Sequence, residues 1–569
     1  MKWRLWLVFI LMVGSVGCRP DDGGGEVVLA ATETQVPTVT VERMTPTAIP
    51  TVAPTEIPTI PTVDLSLSRD QVVVYPVPVV YAGDKISLQL RPTVPELVTP
   101  QGVGVEIFIN GQLVTEGVLG WHHLAREAVG MFEWVWDTTG LDGDHIVEIR
   151  LDPDNLIEIG DENPNNNDVQ FILEVASAAG LPRAEQAAEW VVTEMPCCYL
   201  YTIRGTAAHR DLVQLQSVSS LAVKTMSDRL GEIPQQKFHI YFIERVIGQG
   251  GYANTGMVIS YLDRDYAGGG LYEVIAHESV HILDQQFATK RLTFLAEGMA
   301  VWGTQGHYKR EDLRLRMAAL VQMEMYTPLG DLVDDFYPTQ HEIGYLQAAG
   351  FVQHLVDNYG WEAVKTFYAT AQPREGVMPS HVLDQALLRN FGKSLKQLER
   401  EWLTVLRGEV VPAEVTADLQ ATLRFYQVMR RYQLAYDPTA HFLQAWLPYP
   451  QEAVSLGVTA DFMRQQTDEL NVVLEVMLQA ADSALREGDY QTVHLILDSV
   501  ERTLAYGNFV DPLGSSYQGV VRSAEGLGYN VQQVSMTGDK AVVVVQSGPW
   551  ATLKEIDFVL RERQWTLAH

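Results

Sequence analysis

The stretch VIAHESVHILDQQF, residues 274–287, places two histidines four positions apart with a glutamate directly after the first. In an α-helix, residues i and i+4 lie on one face, about one turn apart. His277 and His281 would therefore both offer an imidazole nitrogen to one metal ion, and Glu278 would project close by. Because so short a pattern also arises by chance, the competing interpretation is an amphipathic helix whose histidines are satisfied by hydrogen bonds.

A further acidic residue follows on the next predicted helix. Glu297 lies sixteen residues after His281, in FLAEGMAVWG, on what should be the next helix. The small Gly298 permits close packing of that helix, whereas Met299 and Trp302 should line the core. Catalytic zinc sites commonly have three protein ligands and leave a fourth position for water. Two imidazoles and one carboxylate therefore predict Zn²⁺ as the cofactor.

The segments around and after this helix extend the pattern. In order, the chain carries HESVH, LAEGMAVW, GYLQAAGFVQHLVDNYGWEAVKTF and LLRNFGKSLKQLEREWLTVL. In their order and spacing these segments resemble the peptidase MA-like family of gluzincin zinc metallopeptidases. The resemblance implies an α+β, zincin-type domain over residues 177–411, with His277, His281 and Glu297 as the metal ligands.

The residue types and the resemblance together predict hydrolysis of peptide bonds. A zinc ion polarises a carbonyl group and acidifies a water molecule. Glu278 is predicted to accept the proton of that water and to pass it to the leaving amine. The resemblance implies Tyr345, at the start of the GYLQAAG helix, as a donor to the oxyanion. His341 is the rival donor, and a Tyr345 that only packs at a helix start is the structural alternative.

The resemblance also implies how a substrate is aligned. Gluzincins usually bind it as an extra strand beside an edge strand that precedes the metal helix, and GMVISYL, residues 256–262, is the matching stretch. The chain departs from the family pattern at Val301, where many gluzincins have an aspartate that orients a histidine. Asp284 is then the candidate for supporting a ligand histidine.

The N-terminal residues predict export. Basic residues precede an apolar run, and GSVGC then ends at Cys18, which is typical of a secretory signal and resembles a bacterial lipobox. Ser15 departs from the lipobox pattern, so a plain secretory signal is the alternative to lipidation of Cys18. We predict a lipoprotein-type signal peptide over residues 1–18. The Thr/Pro-rich residues 19–63 should form an extended linker that separates the membrane anchor from the globular part.

Residues 64–176 have the alternating apolar pattern of an all-β region. VEIFINGQLV, residues 105–114, contains an Asn-Gly pair typical of a hairpin turn, and MFEWVWD, residues 131–137, places three aromatic rings on one face. LDPDNLIEIGDENPNNND, residues 151–168, resembles the acidic turn near the end of CARDB-type, immunoglobulin-like modules. Asx turns explain this composition without metal, and Ca²⁺ binding is the alternative. We predict a β-sandwich, with contact to surface proteins or glycans as its open role.

Residues 412–569 are predicted to form a C-terminal region of helices followed by a small α+β end. Helical patterns reach about Gly507, and strands follow near YNVQQVSM, KAVVVVQ, EIDFVLRER and WTLA. This ending is similar to NTF2-like domains, but it carries no motif that predicts a role. The chain as a whole is thus expected to be multidomain, as its 569 residues also indicate.

The composition excludes one class of partner and limits the disulfide chemistry. The formal net charge of −30 argues against binding to nucleic acid, which needs clustered Lys and Arg. Besides Cys18, the chain has only the adjacent Cys197 and Cys198, which we predict to be buried thiols, with a vicinal disulfide as the alternative.

The leading functional prediction is an exported, membrane-anchored zinc metallopeptidase that acts on peptides or proteins. One alternative is an inactive, zinc-binding adhesion or scaffold protein. Another is a zinc hydrolase of non-peptide substrates, because water activation does not specify the bond that is cleaved.

Overall fold

The computed structural model describes residues 63–568 except 77–78, 96, 100–101, 125–126, 158, 184, 254–255, 338–340, 442–449 and 548–551, and it describes only the backbone at 121–124, 127–129 and 341. The predicted signal peptide, the lipidated Cys18 and nearly all of the predicted linker lie outside these residues. The described residues belong to one compact unit. Among them, no helix combines the length and the apolar character needed to cross a membrane.

The N-terminal part is a β-sandwich of two antiparallel-rich sheets. Its strands are β1 (Val72–Tyr75), β2 (Val80–Tyr81), β3 (Lys85–Leu90), β4 (Gly104–Ile109), β5 (Gln112–Val118), β6 (Gly120–Leu124), β7 (Glu127–Asp137), β8 (Gly143–Leu151) and β9 (Asp168–Ala176). The sheets have the orders β1-β3-β7-β6 and β2-β9-β8-β4-β5, and apolar side chains of both sheets form one core. The predicted hairpin turn is confirmed, because Asn110 and Gly111 between β4 and β5 have φ values of 52° and 77°.

Two aspartates of the acidic segment between β8 and β9 accept hydrogen bonds from within it. The Asp161 carboxylate accepts hydrogen bonds from the Asn163 backbone N–H at 3.1 Å and from Asn167 Nδ2 at 2.8 Å. Asp152 Oδ1 likewise accepts from the Leu156 backbone N–H at 2.8 Å. The segment therefore contains Asx-type hydrogen bonds, and Ca²⁺ binding stays the alternative.

A mixed five-stranded sheet follows, together with the helix that carries the predicted metal ligands His277 and His281. Its elements are β10 (Trp190–Glu194), β11 (Cys198–Ile203), α1 (Ala207–Arg210), α2 (Leu212–Leu230), β12 (Phe238–Ile243), β13 (Gly251–Ala253), β14 (Met257–Ser260) and α3 (Leu271–Asp284). The strand order is β10-β11-β12-β14-β13, with β11, β12 and β14 parallel and the two outer strands antiparallel. The sequence predicts one helix over residues 207–231, but the chain breaks it at Asp211, which binds Arg210 and Tyr261.

The prediction that residues 256–262 form the edge strand is wrong. β14 is hydrogen-bonded to β12 on one side and to β13 on the other, so β13 is the edge strand. β13 has only three residues and begins with Gly251, where a Cβ would lie 2.6 Å from the Val258 carbonyl oxygen. A strand so short has no alternating pattern that a sequence could reveal.

The two cysteines are separate thiols in this sheet. Cys198 begins β11 and is fully buried, whereas Cys197 lies in the preceding turn and is partly exposed. The prediction of thiols is confirmed, although only one of the two is buried.

The rest of the chain is helical until its last strands. The helices are α4 (Thr293–Thr304), α5 (Leu313–Gln322), α6 (Leu329–Asp334), α7 (His341–Tyr359), α8 (Trp361–Thr370), α9 (Pro379–Phe391), α10 (Leu395–Arg407), α11 (Ala413–Tyr436), α12 (Pro450–Leu456), α13 (Glu469–Glu487), α14 (Tyr490–Tyr506) and α15 (Pro512–Glu525). A four-stranded antiparallel sheet follows: β15 (Asn530–Thr537), β16 (Lys540–Gln546), β17 (Leu553–Arg561) and β18 (Gln564–Leu567). The predicted helical regions and the four final strands are confirmed, and α15 is an additional helix.

The segment between α12 and α13 joins three parts of the fold. Arg464 is buried and binds both oxygens of Asp84 in the sandwich, at 2.7 and 2.9 Å, and Glu185 at 2.8 Å. Asp461 is fully buried, and its carboxylate accepts a hydrogen bond of 2.6 Å from Ser87 of β3. The C-terminal region therefore stabilises the position of the sandwich.

Candidate metal centre

Helix α3 presents the two histidines because its other faces belong to the core. Ile275, Val280 and Leu283 are buried among apolar side chains, so the helix cannot rotate without exposing them. His277 and His281 lie one turn apart on the remaining face. The segment is thus an amphipathic helix, and it also presents both histidines on one face.

Three ligand atoms converge at this face. His277 Nε2 and His281 Nε2 are 3.2 Å apart, and Glu297 Oε2 lies 3.2 Å from the first and 3.3 Å from the second. Ligand atoms about 2.0–2.1 Å from a tetrahedral zinc ion are separated by roughly 3.3 Å, so the triangle fits that ion. Among the described residues, no other trio of His, Cys, Asp or Glu side chains brings its ligand atoms so close together.

The second ligand helix reaches the site through close packing. Helix α4 carries Glu297 and packs against α7, which carries Tyr345. At Gly298 a Cβ would lie 2.7 Å from the carbonyl carbon and oxygen of Ala348 on α7. A side chain at position 298 would therefore push apart the two helices that position these site residues. Met299 and Trp302 lie in the core, as the sequence predicts.

The electrostatics of the triad favour a bound cation. Burial lowers the pKa of His277 to about 4, so this imidazole is neutral. Burial also disfavours the charged form of His281, but the Glu297 carboxylate outweighs it and raises the pKa of His281 to about 9. Despite burial, the two imidazoles hold the pKa of Glu297 well below its usual range. The Glu297 carboxylate thus carries a negative charge within the site and favours a proton on His281. A metal cation bound between these groups would replace that proton.

Glu278 stands beside the triad without belonging to it. Its carboxyl is buried, and this burial raises its pKa to about 7, with Glu297 adding to the effect and His281 opposing it. A carboxylate in this condition is a stronger base than one in water. The arrangement suits a group that accepts a proton close to a metal ion.

Tyr345 lies in the same cluster of side chains. Its ring is buried on α7, and the ring centroid is 6.1 Å from that of His277. The sequence therefore identified a residue that the fold brings to the metal ligands. The rival His341 begins α7, but its side chain is outside the described part of the chain, and its role stays a prediction.

Asp284 does not orient a histidine ring through the contacts that the described residues show. Its two oxygens accept hydrogen bonds from Arg291 and Tyr368. Arg291 also donates to the backbone carbonyl of His281 at 3.0 Å. The carboxylate therefore anchors the end of α3, and it acts on His281 through charge and through the helix backbone.

Two further groups of the site were missed by the sequence analysis. The Tyr337 hydroxyl lies 3.5 Å from Glu297 Oε1, the carboxylate oxygen that faces away from the triad. His307 lies beside Tyr345, with ring centroids 4.4 Å apart and planes 20° apart. For His307, the only signal in the sequence is the polar, glycine-containing stretch GTQGHYK, residues 303–309, at the end of α4.

Comparisons with known proteins find a similarity for about one fifth of the chain. No protein-family model matches the chain, and no curated protein matches it either. Among solved structures, the chain is similar to the CARDB domain of PF1109 from Pyrococcus furiosus, solved by NMR, with 20% identity, coverage of 20% of this chain and 94% of that chain, and a TM-score of 0.16. The crystal structure of the same domain in complex with di-metal ions is 19% identical, with coverage of 21% of this chain and 100% of that chain and a TM-score of 0.16.

Both structures are CARDB domains, and each is matched by about one fifth of this chain. Their similarity is too weak to carry an argument about ligands or activity. The resemblance to gluzincin peptidases is untested by these comparisons and stays a prediction.

Proposed function

We propose that this chain is a zinc-dependent metallopeptidase that hydrolyses peptide bonds. The observation that carries the proposal is the triangle of His277 Nε2, His281 Nε2 and Glu297 Oε2, with edges of 3.2–3.3 Å, beside the buried carboxyl of Glu278. An antiparallel edge strand next to a parallel strand and before the metal helix also supports a zincin-type arrangement.

In this proposal, a zinc ion held by the triad supplies Lewis acidity, which polarises the scissile carbonyl and acidifies a water molecule. Glu278 accepts the proton of that water and later passes it to the leaving amine. Tyr345 would donate a hydrogen bond to the oxyanion that develops. The buried walls of the site exclude bulk water, which strengthens each of these interactions.

A peptide substrate is expected to extend the sheet at β13. Among the described residues, this strand pairs only with β14, and no strand lies along its other edge. A peptide could add a strand there. Main-chain hydrogen bonds along such an edge give affinity without selecting side chains. The strand beside which a peptide is proposed to bind is therefore Gly251–Ala253, and not residues 256–262.

The proposal includes export, a lipid anchor at Cys18 and contacts made by the β-sandwich. Export and lipid anchoring at Cys18 would place the enzyme at a membrane surface, where the β-sandwich is available to contact proteins or glycans. The scaffold alternative gives no role to Glu278, whose buried carboxyl lies beside the three predicted ligands without being one of them. We therefore favour the enzyme over the scaffold.

The test compares four samples in the hydrolysis of casein and of a mixed fluorogenic peptide library. These are the zinc-loaded wild type, its chelated form, Glu278→Gln and, as a control on the same helix, Glu273→Gln. Loss of the general base should lower the rate by about 10²- to 10⁴-fold while zinc stays bound at one ion per chain. Glu273 is partly exposed in the first turn of α3, so its variant should keep wild-type activity.

Equal hydrolysis by all four samples would refute the peptidase. Stoichiometric zinc without cleavage of any substrate would favour the scaffold alternative. Zinc content after His277→Ala, measured by mass spectrometry, checks the ligands separately, and an undiminished content would contradict the assignment.

A further inference from the structure

The turn between α4 and α5 brings His307 to the metal centre. The His307 ring stacks on Tyr345 with centroids 4.4 Å apart, and its centroid is 6.0 Å from that of His277. On its other side, His307 Nδ1 lies 2.6 Å from Glu342 Oε2. The imidazole is thus fixed between a carboxylate and the phenol ring that the mechanism uses.

Both partners of His307 lie on α7, one turn apart. Glu342 is fully buried, and its short contact with Nδ1 holds the imidazole in one direction. With Nδ1 fixed, the ring plane has little freedom to rotate away from Tyr345. Glu342, His307 and Tyr345 therefore form a brace that limits the positions available to the tyrosine ring.

The turn that carries His307 has an unusual backbone. Gln305 has a φ of 63°, and Gly306 has a φ of 145°. At Gly306 a Cβ would lie 1.8 Å from the Lys309 carbonyl oxygen, so only glycine fits. Backbone in such conformations persists when the surrounding structure holds it.

The C-terminal helices α11 and α13 hold this turn. Tyr308, next to His307, is fully buried in the core of the C-terminal region, against Phe425 of α11. Its hydroxyl donates a hydrogen bond to Asp482 of α13. Lys309 binds Asp418 of α11 at 2.6 Å. Consecutive residues after His307 are therefore attached to helices more than a hundred residues away in sequence.

One arginine of α13 joins this turn to the start of the metal helix. The Arg486 guanidinium lies 4.4 Å over the Tyr308 ring, and it pairs with Asp482 at 3.1 Å. The same group donates a hydrogen bond to the carbonyl of Gly268, three residues before α3 begins. Helix α13 thus contacts both segments that lead into the site.

We propose that His307 is a positioning residue for Tyr345, and that α11 and α13 are a structural part of the active centre because they hold the His307 turn. This inference rests on the proposed peptidase function and assigns to the C-terminal helices a task in it. It predicts that substitutions in α13, far from the metal ligands, lower the rate of hydrolysis without loss of zinc.

A double-mutant cycle tests the action of His307 through Tyr345. Loss of an oxyanion donor in Tyr345→Phe should lower kcat by about 10²- to 10³-fold. His307→Ala should lower kcat by about 10- to 100-fold, with KM within about threefold, because a tyrosine misplaced by about 1 Å donates poorly. In the Tyr345→Phe background, His307→Ala should have an effect below about twofold. Full additivity, or an unchanged kcat in His307→Ala, would overturn the proposal.

Substitution of Asp482 tests the role of α13. Asp482→Ala removes the partners of Tyr308 and Arg486, and it should lower kcat by about tenfold at unchanged zinc content. The matched control is Asp498→Ala, which removes the ion pair with Arg424 between α14 and α11 without touching the turn. Equal kcat values for the two variants would overturn the proposal.

A measurement that needs no catalysis separates this inference from the proposed function. In protein labelled with 3-fluorotyrosine, the ¹⁹F signal of Tyr345 is assigned by its loss in Tyr345→Phe. Ring stacking shifts this signal, so His307→Ala and Asp482→Ala should move it and Asp498→Ala should not. An unmoved signal would overturn the brace. A moved signal in a chain that cleaves no peptide would uphold the brace and refute the peptidase.

Discussion

Arg291 contacts two groups at the end of α3, the predicted metal helix. Its guanidinium binds the buried Asp284 carboxylate and donates to the His281 carbonyl at 3.0 Å, while Tyr368 donates to the other Asp284 oxygen. A charge with 0% exposure needs such partners, because a lone buried carboxylate is costly. The residue thus connects the stability of the fold to the position of a metal ligand.

Arg291→Met should therefore change stability and zinc affinity together. Removal of one partner from a buried ion pair costs about 3–5 kcal/mol in the free energy of unfolding, and Tyr368 places this site near the lower end. Zinc affinity should fall by about tenfold, because the support of His281 is lost. Urea unfolding and competition with a zinc chelator measure the two effects.

The control for Arg291 is Arg314→Met, which breaks an exposed ion pair with Glu409. That substitution should cost less than about 1 kcal/mol and leave zinc affinity unchanged. If both arginine variants bind zinc equally well, Arg291 has no part in supporting the ligand.

At this scale, the sequence predicts residues whose relation is local. His277, Glu278 and His281 lie within about one turn of one helix, so their spacing places them together, whereas the resemblance to gluzincins implies that Glu297 on the next helix joins them. Tyr337 and His307 reach the site from turns whose conformation no periodic pattern encodes. The partners of Asp284 were equally hidden, since Tyr368 lies 84 residues away from it.

At the scale of elements, the contact of α4 with α7 determines where Glu297 and Tyr345 lie relative to each other. It depends on Gly298, because the backbone of Ala348 on α7 occupies the space of a Cβ. Backbone atoms of a packed helix cannot move aside as a flexible side chain can.

Gly298→Ala should therefore destabilise the chain by about 1–3 kcal/mol, the range for an overpacked core, although alanine favours a helix. It should also weaken zinc binding, because Glu297 would be displaced. The control is Gly330→Ala in α6, where a Cβ would meet nothing within 4 Å. That variant should be neutral or slightly stabilising in thermal unfolding. A Gly298→Ala protein as stable as the Gly330→Ala protein would exclude the contact.

Secondary structure was largely readable at this scale, and strand pairing was not. The helical regions and the alternating strands carry periodic patterns several residues long, which the structure confirms. The three-residue β13 carries no such pattern. The sequence therefore predicts the edge position for β14, the more apolar strand, although β13 occupies it. Pairing order depends on contacts between distant segments, which a local pattern does not contain.

At the scale of the whole molecule, buried acids lie where the parts of the chain meet. Burial raises the pKa of Asp461 to about 7, against the opposing effects of Ser87 and Arg245. In the unfolded chain this carboxyl has an ordinary pKa near 4, so the folded chain retains a proton there between about pH 4 and pH 7. Its stabilising contribution is therefore complete below about pH 4 and is lost as the pH rises through about 7.

Asp461→Asn should flatten this pH dependence, because an amide mimics the protonated carboxyl and still accepts from Ser87. The fall in the free energy of unfolding from pH 5 to pH 8 should shrink by up to about 3 kcal/mol, at about 1.4 kcal/mol for each pH unit affected. Denaturant titrations at both pH values measure it. The control is Asp489→Asn at the start of α14, an exposed group whose pKa is lowered by Thr492 and which does not titrate in this window. An identical fall in the wild type and in Asp461→Asn would show that this proton is unimportant.

The order of regions along the chain was predictable from composition and pattern, whereas their mutual contacts were not. The C-terminal region carries no motif, and its role is visible only through pairs such as Arg264 with Glu475, 211 residues apart, or Arg464 with Asp84. Such pairs leave no trace in local periodicity, because each arginine alone resembles a surface residue.

The bond from Arg486 to the Gly268 carbonyl spans 218 residues of sequence. A ribosome synthesises a chain from its N-terminus at roughly 5–20 residues per second, so the metal-binding segment is made on the order of 10–40 s before Arg486. A nascent molecule can therefore gather its ligands well before its tyrosine is braced. If the rate of peptide hydrolysis depends on that brace, the newly made chain hydrolyses peptides more slowly until α13 has been synthesised and packs against the turn.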